Sequence, residues 1–127
     1  MKFYPPKNIN HLSGSLIVQK NVNKEQSIDV MVKSLKDIML DNNHNKIDVL
    51  KLDIEGYEYE LFESIDFSKL HVNQILVEFH ERFYNDGKSK TLKIIERLSS
   101  YGFEIFAISN SYEEVSFINK NLFLNSK

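Results

Sequence analysis

The chain contains no cysteine, which excludes a disulfide framework and any thiolate metal site. Tryptophan is absent as well, and four glycines and two prolines are too few for a fibrous or low-complexity chain. No apolar run approaches the about 18 residues that a membrane-crossing helix needs. The opening Met1-Lys2-Phe3-Tyr4-Pro5-Pro6 has no apolar stretch of signal-peptide length, so the expectation is a cytoplasmic protein with no membrane partner. A basic field is missing too. The formal net charge is −2 and the lysines are scattered along the sequence, so nucleic acid is not expected as a partner.

What is present is core material. Of 127 residues 42% are hydrophobic, including nine Phe and six Tyr, which suffices for one core and one domain over residues 1–127. Residues 1–33 read as loop with two short strands, at Leu16-Ile17-Val18 and at Ile28 to Val32, where alternation puts Ile28, Val30 and Val32 on one face. Ser34-Leu35-Lys36-Asp37 has the form of a capping box opening a helix with Leu35, Ile38 and Met39 inward, ended by Asp41 to Asn45.

From Ile47 the pattern alternates strand and helix, the signature of parallel βαβ units. Ile47 to Asp53 has the few polar interruptions of a central strand covered on both faces. Tyr57 to Ile65 fits a helix with Leu61, Phe62 and Ile65 inward and the acids Glu58 and Glu60 in its first turn, where the dipole favours negative charge. Gln74 to His80 reads as the next strand. Lys88 to Tyr101 reads as a helix carrying Leu92, Ile95 and Leu98, with Gly102 as its cap. Phe103 to Ile108 and Val115 to Ile118 form an antiparallel hairpin at one edge.

Ligands of an open parallel α/β sheet bind beyond the carboxyl ends of the strands. That rule selects Asp53-Ile54-Glu55-Gly56 and Glu78-Phe79-His80-Glu81-Arg82, which share a small volume if their strands are neighbours. Crowded carboxylates raise one another's pKa, one route to a general base. Asp53 and Glu55 would serve equally well as caps of the following helix, and His80 as an ordinary hydrogen-bonded histidine. Lys51, inside a strand expected to be buried, needs a carboxylate such as Asp53 or an escape to the strand's end. Tyr57, Tyr59 and Phe62 read as packing. The histidines at 11, 44, 71 and 80 show no metal-ligand spacing, so no metal is expected, with magnesium or calcium at the acids a weaker alternative.

The run Ile47-Asp48-Val49-Leu50-Lys51-Leu52-Asp53-Ile54-Glu55-Gly56-Tyr57-Glu58 resembles the hallmark segment of the FkbM methyltransferase family, an Asp, an apolar pair, Lys, then Asp-x-Glu-Gly-x-Glu. Val30 to Ile38, Ile75 to Phe83, Tyr101 to Ser109 and the opening Phe3-Tyr4-Pro5-Pro6 resemble its flanks. The resemblance implies a seven-stranded class I, Rossmann-like three-layer sandwich, with parallel strands and an antiparallel carboxyl-terminal hairpin. It also implies S-adenosylmethionine as cofactor and O-methylation of a hydroxyl on a sugar or secondary metabolite. By motif position Asp53, Glu55, Glu78 and His80 are the catalytic candidates, with Asp53 and Gly56 toward the cofactor.

A complete member carries a glycine-rich turn, whereas the glycines here stand alone at 14, 56, 87 and 102. The expectation is therefore an incomplete domain, inactive by itself, whose Ile47 strand has an open edge for a missing amino-terminal half or for self-association. The alternative is a non-catalytic α/β domain that binds a partner chain through that edge. A hydrolase using Asp53 and Glu78 is disfavoured, since no nucleophile or substrate groove accompanies them.

Overall fold

The computed structural model describes residues 1–8, 10 and 13–124, so His11 lies outside the described residues. The elements in chain order are β1 (Lys2–Phe3), β2 (Ile28–Asp29), α1 (Leu35–Asp41), β3 (Ile47–Leu52) and α2 (Glu58–Ser64), followed by β4 (Val72–Glu78), α3 (Gly87–Ser100), β5 (Phe103–Ile108), β6 (Glu114–Asn119) and α4 (Lys120–Leu124). Single 3-10 turns occupy Phe67–Lys69 and Glu81–Phe83. β1 and β2 pair antiparallel as a small separate sheet, and the main sheet has the order β3-β4-β6-β5. β3 and β4 run parallel around α2, as the alternating pattern requires, while β6 is antiparallel to both its neighbours.

Alternation along β4 directs Ile75 and Val77, then Phe79 just past its end, to one face, where they meet Tyr59 and Phe62 of α2 and Ile94 and Leu98 of α3. The Phe62 ring lies 6.2 Å from Phe67 and 6.3 Å from Phe79, and Phe67 meets Phe103 edge-on at 5.4 Å. One aromatic chain thus ties α2, the turn after it, β4 and β5 together, each buried ring contributing about 1.5–3 kcal/mol. Arg97 of α3 adds a polar clasp. Its guanidinium donates to the carbonyls of Phe62 at 3.1 Å and Ile65 at 2.9 Å, which the end of α2 leaves without helical partners.

Local signals hold where they rest on backbone chemistry. The Ser34 hydroxyl accepts from the Asp37 N–H at 3.1 Å and caps α1, and Gly102 ends α3 at φ +90°, a conformation free of strain only without a Cβ. Several packing expectations are corrected. The buried stripe of α3 is Gly87, Thr91, Ile94 and Leu98, with Ile95 packed against its margin; of the expected Leu92, Ile95 and Leu98 it is Leu92 that is exposed, because Thr91 turns inward to bond the Tyr59 hydroxyl at 3.1 Å. Leu16 and Ile17 form a bend and Val18 no strand, the single bridges on either side among the described residues being Tyr4 to Ser15 and Pro6 to Val22. The Ile28 strand stops at Asp29, and Ile28, Val32 and Ile38 are exposed.

Among the described residues β3 pairs only with β4, so the open edge expected of this strand is there, while the expected cover of both its faces is corrected: Val49 is 52% exposed and Lys51 stands in solvent, in none of the described ion pairs. No helix among the described residues is long and apolar enough to cross a membrane.

Candidate functional site

The parallel register sets Leu52 opposite Val77, so β3 and β4 end side by side. The chain leaving β3 then bends sharply. Glu55 has φ +53° and Gly56 φ +98°, two consecutive residues in the left-handed region, which is uncommon for any residue with a Cβ. Glu58, from the first turn of α2, reaches back to hold this bend. Its Oε1 accepts from the N–H of Ile54 at 3.0 Å, from the N–H of Gly56 at 3.2 Å and from His80 Nδ1 at 2.9 Å. Its Oε2 is buried with no hydrogen-bond partner among the described residues. A carboxylate with no exposed surface is tolerable because these donors replace water.

His80, 1% exposed, follows the end of β4. Glu58 accepts only, so Nδ1 carries the proton of that bond and Nε2 faces outward toward three more acids. It lies 3.6 Å from Glu55 Oε2, 3.7 Å from Glu78 Oε1 and 3.8 Å from Asp53 Oδ1. The ring stacks on Phe83 with centroids 5.0 Å apart. Burial alone would push the His80 pKa down, but the hydrogen bond and charge of Glu58 outweigh it and hold His80 above its ordinary value. Burial likewise favours the neutral acid at Glu58, and the bond and charge of His80 reverse that, holding it below the ordinary value. Glu78 is raised, first by burial and then by the charge of Asp53. Donor atoms of Asp53, Glu55 and His80 lie within 4.8 Å of one another, a spacing that would also accept a metal ion.

The amino-terminal loop closes over this turn. Ser15 Oγ donates to the Glu55 carbonyl at 2.7 Å, and Ile17 and Phe83 fill the space beside the Gly56 Cα. A Cβ there would stand 2.8 Å from Phe83 Cδ2. Tyr84 donates its hydroxyl to the Gly56 carbonyl at 2.6 Å.

The four acids and the imidazole expected at the strand ends do converge, with one exchange. Asp53, Glu55, Glu78 and His80 are all there, and the fourth acid is Glu58. Glu81 is absent from the acids around His80. In the sequence Glu58 stands out only as a first-turn acid that complements the helix dipole. The available signal was its place three residues beyond a strand-end acid, where a first-turn carboxylate can reach back to free N–H groups as in a capping box. His44 and His71 are exposed and remote from the cluster, His71 meeting Asn73 Oδ1 at 3.1 Å.

The family model described as the methyltransferase FkbM domain matches residues 2–105 of the 127. No curated protein and no solved structure matches the chain.

Proposed function

The chain belongs to the FkbM methyltransferase family, and on that premise we propose that its strand-end cleft moves a methyl group from S-adenosylmethionine to a hydroxyl oxygen of a sugar or secondary metabolite. The observation that carries this reading is His80: buried, oriented by Glu58, and aimed at Asp53, Glu55 and Glu78 where two parallel strands end. The same premise carries the class I, Rossmann-like sandwich, of which β3 and β4 supply the crevice.

When bound, S-adenosylmethionine supplies an electrophilic methyl on a positively charged sulfur. The donor set suits it, because carboxylates accept from ribose hydroxyls and a cluster of negative charge attracts a cation. Asp53, at the open edge of β3 with Gly56 in the turn beside it, is the residue assigned to the cofactor. His80 is the general base. With Nδ1 committed to Glu58, the neutral ring presents the Nε2 lone pair, takes the proton of the acceptor hydroxyl, and leaves an imidazolium that Glu58 stabilises. Glu55 and Glu78 border that nitrogen and orient the hydroxyl, Glu78 being the second candidate for the base.

A second reading rests on the unpaired edge of β3, where Val49 is exposed: a partner strand or a second copy of the chain adds there. Isothermal titration with S-adenosylmethionine decides between the two. Micromolar binding that is lost in Asp53→Ala supports the enzyme, and no binding by a folded sample leaves the edge-binding domain.

A further inference from the structure

Beside the acid cluster lies a cavity of about 710 Å³ whose wall carries Lys7, Lys20, Lys24 and Arg82 and, among the described residues, no carboxylate. A second cavity, of about 350 Å³, shares Lys7, Gln19, Asn21, Arg82 and Phe83 with it and is lined by Glu55 as well. The two adjoin, Lys20 and Lys24 lining only the first and Glu55 only the second. Glu55 Oε2 lies 3.6 Å from His80 Nε2. Four cations line the first cavity in a chain whose net charge is −2. Lysines scattered in sequence are thus gathered in space.

Lys7, Lys20 and Lys24 appear in none of the described ion pairs, whereas Arg82 is braced by Glu113 and lies 3.9 Å from Glu78. Like charges around one hollow repel each other, and an anion of charge about −2, such as a phosphate ester, relieves that repulsion. The hollow is of small-molecule size, about 300–1,000 Å³ being usual. Its position is fixed by the fold. The loop bearing Lys20 and Lys24 is anchored to the active turn through Ser15 and the Glu55 carbonyl, and Arg82 stacks over Phe83 at 5.0 Å, next to the His80 ring.

We propose that the methyl acceptor is a phosphate-bearing hydroxyl compound, its phosphate held by Lys7, Lys20, Lys24 and Arg82 while its hydroxyl reaches Glu55 and His80. The proposal rests on the methyltransferase reading for its chemistry and on the cleft alone for its charge. It explains why the acid cluster is not shielded by the nearby lysines: they serve the other end of the same ligand.

The test is isothermal titration of the whole chain with glucose 6-phosphate, inorganic phosphate and glucose, for the wild type and for a Lys20→Glu, Lys24→Glu variant, with S-adenosylmethionine titrated in parallel. The expected result is that glucose 6-phosphate binds more tightly than inorganic phosphate and glucose not at all. Charge reversal should weaken the sugar phosphate at least tenfold with the circular dichroism spectrum and the S-adenosylmethionine affinity unchanged. Lys7→Glu, on a different segment, should give the same loss if folding is affected in the first variant. Absence of sugar-phosphate binding, or binding indifferent to both charge reversals, overturns the proposal, as does inorganic phosphate binding equally well. Binding of S-adenosylmethionine without glucose 6-phosphate removes only the acceptor class. Glucose 6-phosphate bound in the cleft without S-adenosylmethionine keeps the anion site and overturns the methyltransferase reading.

Discussion

Glu58 Oε1 and His80 Nδ1 lie 2.9 Å apart with both side chains shut off from solvent, joining the first turn of α2 to the end of β4. The same oxygen also holds the left-handed bend after β3, so one buried charge pair organises three segments.

This pair should set the pH profile of stability. The Glu58 pKa is lowered from 4.5, so its contribution is present above that value and is lost as pH falls through the folded one. The His80 pKa is raised from 6.5, so its contribution is complete below that value and is lost as pH rises through the folded one. Thermal unfolding followed by circular dichroism should therefore show the pair's greatest effect between pH 4.5 and 6.5. Within that window Glu58→Ala should lose about 3–5 kcal/mol, because it strands an imidazolium. An unchanged pH profile in the variant would refute the coupling.

Gly56→Ala should destabilise the chain by about 1–3 kcal/mol, since it imposes a side chain on a left-handed φ. That φ is +98°, and the new Cβ would press on Phe83. Urea denaturation measures the effect. Phe83→Ala made together with it should recover the steric part alone, leaving the backbone part in place.

His80→Asn should slow methyl transfer by about 10²–10⁴-fold while leaving S-adenosylmethionine binding within twofold, as expected when a base is removed and the cofactor residues stay. In the wild type kcat should climb with pH through the raised His80 value, because only the neutral ring accepts a proton. A kcat independent of pH between 6 and 9, on the order of the range a shifted histidine covers, would exclude His80 and turn attention to Glu78.

Val49→Lys tests the open edge of β3. Val49 is 52% exposed, so the substitution should change stability by less than about 0.5 kcal/mol. Sedimentation velocity should show less self-association than in the wild type if the edge pairs with a second copy. Equal sedimentation of the two proteins would remove that route.

The sequence was most legible where a rule concerns the local backbone: Ser34 as a cap, Gly102 as a helix end, and the change to βαβ alternation at Ile47 all correspond to observed structure. The convergence of Asp53, Glu55, Glu78 and His80 was legible for the same reason, because parallel neighbouring strands necessarily end together. Burial was not. A mostly apolar run such as Ile47 to Leu52 looks identical whether one or both of its faces are covered, and the exposure of Val49 and Lys51 follows from what packs beside the strand rather than from the run. Glu58 was hidden because its role depends on a histidine 22 positions away. The basic lining of the cleft was hidden because Lys7, Lys20 and Lys24 reach the cavity beside Arg82 only through the fold of an irregular loop that carries no periodic signal.

The strand order has a consequence for how the chain is made. β6, the last of the described strands in sequence, lies between β4 and β5, and β4 gains this neighbour only when residues 114–119 arrive. A ribosome releases those residues after the other described strands of the sheet, so the nascent chain holds out the edge of Val72 to Glu78 until they emerge. A pause in translation before β6 should therefore yield a species that aggregates through β4 and binds chaperones.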